Sequence, residues 1–478
     1  MEKVKLLLIN PEYRNKAIVH FPLGLGYIAG SCKKEGIEVQ CVDMNFVNTD
    51  TQHILEIIKN NDYHVVGIGG FSTQLKSSIE LTNRIKKTCQ DVKVIIGGVQ
   101  VVGCEDFIMN SKVDILCTGE SEAILPKLVH AIYENDDLSD IPSIIYRRSG
   151  EIVKSASREI IERLDDIPFP AYEIFNMEKY IQENYHSTPG RRTIDFICSR
   201  GCPYRCSYCV NSKNPTKARY RRSENILQEI QYLKRQYNIN DFSFSDEIFT
   251  INKRKALEIC EAIKSENITW ITSTRADRID DELLSTMKAS GCRMLLVGFE
   301  SGSEKILKSM DKRVSLPTYI NAINTLRKQQ IHFYTNFMIG MPEETEETIN
   351  ETEKFCIQNM LIYAVSYVTP FPGSKLYDEV KDKIQDEKVY LYRLANIDFS
   401  KSPLVNLTEM STKRLIFLRN RVVVNTMTNI IKKRYNYFPQ VLIKISCWIY
   451  IFIFNQKNPV VSKIIRIINK RVYSAFSE

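Results

Sequence analysis

Short apolar runs alternate with amphipathic stretches through the first 135 residues. The apolar runs predict five strands, at residues 4–10, 39–43, 65–69, 92–96 and 115–118. Between them apolar residues recur at helical spacing, which predicts helices at residues 23–35, 52–60, 74–89 and 123–133. Short buried strands separated by helices are typical of a parallel sheet covered on both faces. The pattern therefore predicts an α/β, doubly wound first domain over residues 1–135.

The loops after the third, fourth and fifth predicted strands are rich in glycine and hydroxyl side chains. In doubly wound sheets, ligands bind outside the carboxyl ends of the strands, and glycine lets the backbone approach a ligand closely. Glycines that only make turns are the alternative interpretation. The candidate ligand contacts in these loops are Gly70, Ser72, Thr73, Gly97, Gly98, Gly119 and Glu120.

A connector and a second strand–helix repeat follow. Residues 136–190 form the connector, which contains a predicted hairpin at 143–153. From residue 191 to 375 a strand–helix unit recurs six times, with strands at 193–197, 242–245, 269–274, 294–299, 332–339 and 363–369. Six such units predict an incomplete parallel barrel, a partial TIM-like (βα)6 fold, with its active site at the carboxyl ends of the strands.

Composition indicates a cellular compartment, and the charge is distributed unevenly along the chain. With 478 residues, 44% hydrophobic and 26% charged, the chain fits a globular protein of about three domains. No secretory segment opens it, and the cysteines outside one stretch show no pairing rhythm, so we expect a reducing cytoplasm without disulfides. The net charge of +8 is uneven, because residues from 411 onward hold thirteen Lys or Arg and one acid.

The remaining region, residues 376–478, is predicted to be helical and basic. Its apolar run at 441–454 contains Lys444 and is shorter than the ~20 residues that span a bilayer. It is either a core helix with a solvated basic face or a segment lying on an anionic membrane or lipid substrate. Nucleic-acid binding is disfavoured, because no recognisable binding fold accompanies the charge.

The chemistry of the chain is concentrated between residues 198 and 209, where four of its thirteen cysteines lie. Gly201 and Pro203 favour a loop, and this loop follows the first barrel strand. Cys202, Cys206 and Cys209 share a C-x3-C-x2-C spacing. Thiolates are the usual ligands of iron–sulfur clusters, and three of them leave one iron of a four-iron cluster open. The alternatives are structural zinc or an electron-transfer cluster, each of which would use all four cysteines.

This spacing is the signature of the radical S-adenosylmethionine (SAM) enzymes, which the sequence resembles. The resemblance implies that Cys202, Cys206 and Cys209 bind a [4Fe–4S] cluster and that Cys198 only ends a strand. It also implies that the open iron chelates SAM, whose reductive cleavage gives a 5′-deoxyadenosyl radical, and that Tyr208 packs near the adenine. A flavodoxin or ferredoxin is the implied reductant.

The same resemblance assigns SAM contacts to strand ends. The acidic pair after the second barrel strand would accept hydrogen bonds from the SAM ammonium, or it is a solvated turn. Arg275 would meet the SAM carboxylate or pair with Asp277. The two residues that end the fourth strand would contact the ribose or the ammonium group. These candidates are Asp246, Glu247, Arg275, Glu300 and Ser301.

The runs at residues 22–30, 67–73, 94–98 and 114–122 resemble the cobalamin (B12)-binding domain that commonly precedes a radical SAM barrel. The resemblance makes the glycine-rich loops cobalamin contacts. Members that ligate cobalt with histidine carry Asp-x-His-x-x-Gly after the second strand, whereas this chain has Asp43-Met-Asn-Phe-Val-Asn. We therefore expect cobalamin without a histidine lower ligand; a domain that has lost cobalamin is the alternative.

Three functions remain open from the sequence. The first is methylation of an unactivated carbon or phosphorus centre of a small molecule or lipid, with one SAM methylating cobalamin and another supplying the radical. The second is radical oxidative ring closure, as in the related anaerobic magnesium-protoporphyrin monomethyl ester cyclase. The third is a non-enzymatic B12 or redox sensor. Methylthiolation of tRNA is disfavoured, because the first domain lacks a second cysteine triad.

Overall fold

A computed structural model describes residues 4–434 except 14–19, 47–48, 158, 185, 188–189 and 362. The apolar run at 441–454 lies outside the described residues. None of the described cysteines forms a disulfide. No described helix is long and apolar enough to cross a membrane.

The first domain is built on a seven-stranded sheet. Its strands are β1 (Lys5–Asn10), β2 (Glu38–Asp43), β3 (Val65–Gly69), β4 (Lys93–Gly97), β5 (Ile115–Cys117), β6 (Ile144–Arg148) and β7 (Glu151–Lys154). The order is β2-β1-β3-β4-β5-β6-β7, with β1 to β5 parallel and the last two antiparallel. The hairpin predicted within the connector therefore extends the first sheet at one edge.

Helices cover both faces of this sheet, as predicted. They are α1 (Leu23–Lys34), α2 (Thr51–Asn60), α3 (Leu75–Thr88), α4 (Glu105–Met109) and α5 (Ser121–Glu134). Leu7 and Ile9 of β1 pack with α2 and α3, while Leu6 and Leu8 pack with α1 and α5. All four side chains are buried, which is why β1 is a continuous apolar run.

The second sheet is the predicted open barrel. After α6 (Met177–Glu183) come the strands β8 (Thr193–Phe196), β9 (Ser199–Arg200), β10 (Arg219–Tyr220), β11 (Asp241–Phe244), β12 (Thr269–Arg275), β13 (Cys292–Glu300), β14 (His332–Ile339) and β15 (Tyr363–Tyr367). Six of them are parallel, in the order β8-β11-β12-β13-β14-β15, and β9 with β10 forms a separate antiparallel ribbon. The carboxyl ends of the six strands define the mouth of the half-barrel.

Helices pack against the outer face of the half-barrel. They are α7 (Ser223–Tyr237), α8 (Lys253–Ile263), α9 (Asp281–Ala289), α10 (Glu304–Ser309), α11 (Leu316–Lys328) and α12 (Glu346–Gln358). Val297 and Phe337 are buried in the core that includes these helices, whereas the alternate positions Leu296 and Asn336 keep solvent exposure. The inner face of β13 and β14 is therefore accessible.

The C-terminal region packs against both domains. It contains α13 (Lys375–Glu379), α14 (Glu387–Leu394) and α15 (Thr412–Arg434). Leu391 and Leu394 of α14 enter the core of the first domain, and Leu415, Leu418 and Val422 of α15 enter the core of the barrel. The helical character expected for this region is present in its described part.

Candidate functional site

The structure brings the three predicted cluster cysteines together in one loop. Cys206 is buried, and Cys202 and Cys209 are half-buried. The amide of Cys209 donates to the carbonyl of Cys206 at 2.9 Å, and the amide of Thr216 donates to that of Cys202 at 3.2 Å. Burial raises the pKa of Cys209, and negative charge on Cys202 or Cys206 raises it further.

Cys198 stands apart from this loop. It lies between β8 and β9 with no exposed surface, inside the barrel core. Burial raises its pKa well above the ordinary value, and the negative charge of Asp246 adds to this. Cys198 thus follows the end of β8, at Phe196, and does not itself end the strand as predicted.

The donor set of the loop fits an iron–sulfur cluster. Burial raises the pKa of Cys202 and of Cys209, so iron must displace protons when these thiols bind it. Cluster thiolates bind different irons and need not converge on one point. In the described ranges, no three Cys, His, Asp or Glu side chains converge to hold a single ion.

Arg275, at the end of β12, lies directly behind the cysteine loop. Its side chain is 4% exposed and pairs with Asp277, Nε to Oδ1 at 2.9 Å. Nη1 points to the Sγ of Cys206 at 3.7 Å, and Nη2 donates to the carbonyl of Lys312 at 2.7 Å. The guanidinium lies 3.7 Å from the ring centroid of Tyr204. The predicted pairing of Arg275 with Asp277 is present, and its contact with the SAM carboxylate stays a prediction.

Tyr208 and Glu300 share a partner that sequence reasoning missed. Nζ of Lys312 donates to Oε1 of Glu300 at 2.9 Å and to the hydroxyl of Tyr208 at 3.3 Å. Lys312 is buried, and burial, with the charge of Glu300, raises the pKa of Tyr208 well above its usual value. A single lysine in a polar turn carries no sequence signal for this role. The cluster loop and the end of β13 are thus joined through one cation.

Glu300 is directed by an irregular backbone at the end of β13. The residue has φ of 66°, and the register between β13 and β14 shifts at this point. Positive φ is unusual for a residue with a side chain. Ser301, next in the chain, is fully buried; its Oγ accepts from the amide of Ser303 at 3.1 Å and lies 3.2 Å from the Oγ1 of Thr352. Glu300 and Ser301 therefore differ as candidate SAM contacts, since the Ser301 hydroxyl is buried and already hydrogen-bonded within the protein.

The acidic pair after β11 is divided between core and surface. Asp246 is buried and accepts hydrogen bonds from the Ser199 hydroxyl and, at 3.3 Å, the Cys198 amide. Burial raises its pKa to about 7. Glu247 is exposed and accepts from the Gly201 amide at 3.2 Å. Both carboxylates support the chain around the cysteine loop, and only Glu247 is also open to a ligand.

The glycine loops of the first domain touch one another at the carboxyl edge of its sheet. A Cβ atom at Gly98 would lie 2.7 Å from the carbonyl oxygen of Gly70. Gly98 also has φ of 84°, so this turn requires glycine. Gly97, before it, ends β4 and is half-buried. The Gly70 carbonyl accepts from the Gln100 amide at 3.2 Å, which fixes the two loops together.

The same edge exposes apolar side chains. Phe71 is 60% exposed and Val99 is 41% exposed, one in each of these loops. Ser72 and Thr73, by contrast, are buried in a short turn after β3. Exposed apolar groups on closely joined loops suit the face of a large planar ligand, so the edge fits cobalamin.

The position of the missing histidine is filled by Asn45, whose side chain is used within the protein. Its Nδ2 donates to the carbonyl of Pro11 at 3.1 Å, and its Oδ1 accepts from the amide of Tyr13 at 2.7 Å. Asp43 accepts from the Tyr180 hydroxyl at 2.6 Å. No histidine stands at this position to replace the lower base of cobalamin.

Glu120, predicted to contact cobalamin, joins the first domain to the β9–β10 ribbon. It pairs with Arg219 at 2.7 Å and with Arg200 at 3.6 Å, and Arg200 also pairs with Glu122 at 2.7 Å. Burial alone would raise the pKa of Glu120, but the hydrogen bonds from Arg219 and from the Ile161 amide hold it below the usual value. Gly119 packs beside Ser143, at the start of the hairpin.

A second contact joins the two carboxyl edges. Gly103 follows β4, and a methyl group there would overlap the backbone of Gly373, which follows β15. Together with the ion pairs of Glu120, this places loops from the ends of β4 and β5 against loops from the ends of β8 and β15. The glycine-rich edge of the first sheet therefore faces the mouth of the half-barrel.

Comparison with known proteins identifies both domains. Residues 196–356 match the Radical SAM superfamily, and residues 16–129 match the B12 binding domain. An uncharacterized methyltransferase of Pyrococcus horikoshii, PH0819, is 30% identical over 79% of this chain and 83% of its own. The anaerobic magnesium-protoporphyrin IX monomethyl ester cyclase of Synechocystis sp. is 28% identical over 74% of this chain and 72% of its own.

The same two-domain architecture occurs among solved structures. The cobalamin-dependent SAM radical enzyme OxsB, solved with aqua-cobalamin and SAM bound, aligns with a TM-score of 0.70 at 18% identity. The alignment covers 99% of this chain and 76% of that one. The likeness includes the described part of the C-terminal region, residues 376–434.

Proposed function

This chain belongs to the B12-binding radical SAM enzymes, and we propose that it methylates an unactivated carbon or phosphorus centre of a small molecule or lipid. Its cofactors are a [4Fe–4S] cluster, SAM and cobalamin. Because the family is enzymatic, the sensor hypothesis is not retained.

The observation that supports this proposal is that the carboxyl edge of the first sheet faces the carboxyl edge of the half-barrel. Glu120 with Arg219, and Gly103 with Gly373, hold the glycine-rich edge against the ribbon and the loop after β15, at the mouth of the half-barrel. When bound, the cluster with SAM supplies radical chemistry, and cobalamin supplies a carrier for a methyl group. A substrate between the edges would be within reach of both.

The residues of the mouth have distinct proposed tasks. Cys202, Cys206 and Cys209 hold the cluster, and Lys312 fixes the carboxylate of Glu300 for polar contact with SAM. The partly exposed inner faces of β13 and β14, at positions such as Leu296 and Asn336, would line the substrate. Helices on the outer face keep water from the strands on that side.

Oxidative ring closure is the second candidate, favoured by the similarity to the magnesium-protoporphyrin cyclase. That relative is slightly less identical than the methyltransferase and shares less of its length with this chain. Both reactions would need a strong one-electron donor, for which we propose a flavodoxin or ferredoxin.

Anoxic reconstitution followed by product analysis tests the function. The protein is loaded with iron, sulfide and cobalamin, then given SAM with a deuterated methyl group, a strong reductant and an extract of cells lacking the protein. We expect 5′-deoxyadenosine, S-adenosylhomocysteine and one metabolite that gains a labelled methyl group. Incorporation of oxygen from labelled water without the methyl label would support the cyclase instead.

Two cysteine variants provide the matched control. Cys206→Ala should lose most cluster iron and all cleavage of SAM, because a ligand is removed. Cys198→Ala removes a buried thiol outside the loop and should keep the cluster. Equal iron loss in both variants would contradict the assignment of the ligands.

A further inference from the structure

The guanidinium group of Arg275 is fixed by contacts within the protein on every side that carries a nitrogen. All three of its nitrogens have protein partners: Nε meets Asp277, Nη2 meets the Lys312 carbonyl, and Nη1 faces the sulfur of Cys206. Its flat face lies on the ring of Tyr204. The guanidinium is therefore held against the cysteine loop.

The partners of Arg275 come from separate parts of the chain. Tyr204 and Cys206 belong to the cysteine loop, Asp277 follows β12, and Lys312 follows α10. The Met310 carbonyl, two residues before Lys312, accepts from the amide of Ser207, also in the loop. Arg275 thus occupies the junction where the loop meets the end of β12 and the turn after α10.

We propose that Arg275 is a positioning residue that sets the reduction potential of the cluster through the Cys206 sulfur. An N–H group directed at a cluster sulfur withdraws electron density from the iron and favours the reduced state. The positive charge acts in the same direction, since reduction adds one negative charge to the cluster. The site is buried, so water screens this interaction weakly.

Asp277 opposes this effect. Its carboxylate is paired with Arg275 and offsets part of the positive charge beside Cys206. Removing the carboxylate leaves the arginine in place with more net positive charge. Substitutions of Arg275 and Asp277 should therefore move the potential in opposite directions, which loss of folding would not do.

A role toward the SAM carboxylate makes a different prediction. If Arg275 were mainly a SAM ligand, its loss would weaken SAM binding and leave the SAM-free cluster unchanged. If it acts on Cys206, the SAM-free cluster itself changes. The inference rests on the cluster that the proposed function requires, and the two can fail separately.

The test is a redox titration of the reconstituted protein without SAM, followed by electron paramagnetic resonance. Arg275→Gln should lower the reduced-to-oxidised ratio at a fixed potential about tenfold, a negative shift of about 59 mV for one electron. Asp277→Asn should shift the potential the other way. Arg278→Gln is the control, since Arg278 is exposed and contacts Tyr204 of the loop through its hydroxyl and ring, whereas Arg275 faces the Cys206 sulfur.

The outcomes separate the two levels of inference. If the wild type assembles no cluster, the proposed function fails. If the cluster forms and Arg275→Gln titrates like wild type, this inference is overturned, whatever happens to SAM affinity. Should Arg275→Gln not assemble a cluster, Asp277→Asn decides, because an unchanged potential there overturns the inference and a less negative potential supports it.

Discussion

At the scale of single residues, several carboxylates near the barrel mouth accept hydrogen bonds from backbone amides. Glu344 is the clearest, because it is 2% exposed and its Oε2 accepts from the Gly340 amide at 2.7 Å and the Met341 amide at 3.4 Å. These amides belong to the turn that leaves β14. Burial raises the pKa of Glu344 to about 7, as it does for Asp246. Such groups make stability depend on pH.

Glu344→Gln should flatten that dependence. Folded Glu344 binds its proton more tightly than the unfolded chain does, so the group stabilises the fold at low pH and loses this contribution as pH rises through 7. Linkage predicts a loss of about 2 kcal/mol of unfolding free energy between pH 5.5 and 8. Urea unfolding of the cofactor-free protein at both values measures it.

The exposed neighbour Glu343 supplies the control for this prediction. Glu343→Gln should keep the wild-type difference between the two pH values. A Glu344→Gln protein with an unchanged pH difference would show that the carboxyl group does not titrate in this range.

At the scale of elements, the basic helix α15 is a structural part of the barrel. Arg414 pairs with Glu346, Arg421 pairs with Glu353 at 3.0 Å, and Arg419 donates to the Val365 carbonyl at 2.7 Å. These three basic side chains of α15 therefore form ion pairs or hydrogen bonds with the rest of the barrel. The predicted membrane contact depends on residues after 434, outside the described part of the chain.

Two adjacent residues of α15 test its packing. Leu418 is fully buried, whereas Phe417 is 44% exposed. Leu418→Ala should lower the unfolding free energy by about 2–4 kcal/mol, because it leaves a cavity in the barrel core. Phe417→Ala should cost less than about 1 kcal/mol. Chemical denaturation compares them, and similar losses would mean that α15 is not docked as described.

At the scale of the whole molecule, the two domains are interleaved. Phe21, Leu23 and Tyr27 of the first domain belong to the barrel core, and Leu391 of α14 returns to the core of the first domain. The hydroxyl of Tyr27 accepts from Arg221, which is itself buried and paired with Glu229. The glycine-rich edge of the first sheet and the mouth of the half-barrel are consequently held in one arrangement.

Arg219→Gln should loosen this arrangement at the ribbon. It removes the ion pair with Glu120 and leaves a partly buried carboxylate without its main partner. We expect faster hydrogen exchange in residues 199–220 and about tenfold weaker binding of hydroxocobalamin, measured by absorbance titration.

The matched control is Arg148→Gln, which breaks an ion pair to Asp137 between exposed side chains. Such pairs contribute little, so exchange and cobalamin affinity should stay at wild-type values. Unchanged cobalamin affinity in Arg219→Gln would show that the ribbon does not support cobalamin binding at the glycine-rich edge.

The sequence by itself determined the elements and the cluster motif. Strand β14 was predicted at its observed bounds, residues 332–339, because the apolar positions that a strand buries lie within a few residues of one another. The motif of three cysteines was readable for the same reason, since the spacing within one loop is local information. The absence of the histidine beside Asp43 was equally readable.

Only the tertiary structure decided what the other candidate residues face. It paired the hairpin β6–β7 with β5, turned Glu120 toward Arg219, and separated buried Asp246 from exposed Glu247. Lys312 acquired its role from Tyr208 and Glu300, the first about a hundred residues away in sequence. These outcomes depend on burial and on partners brought together by packing, and a local pattern of side chains contains neither.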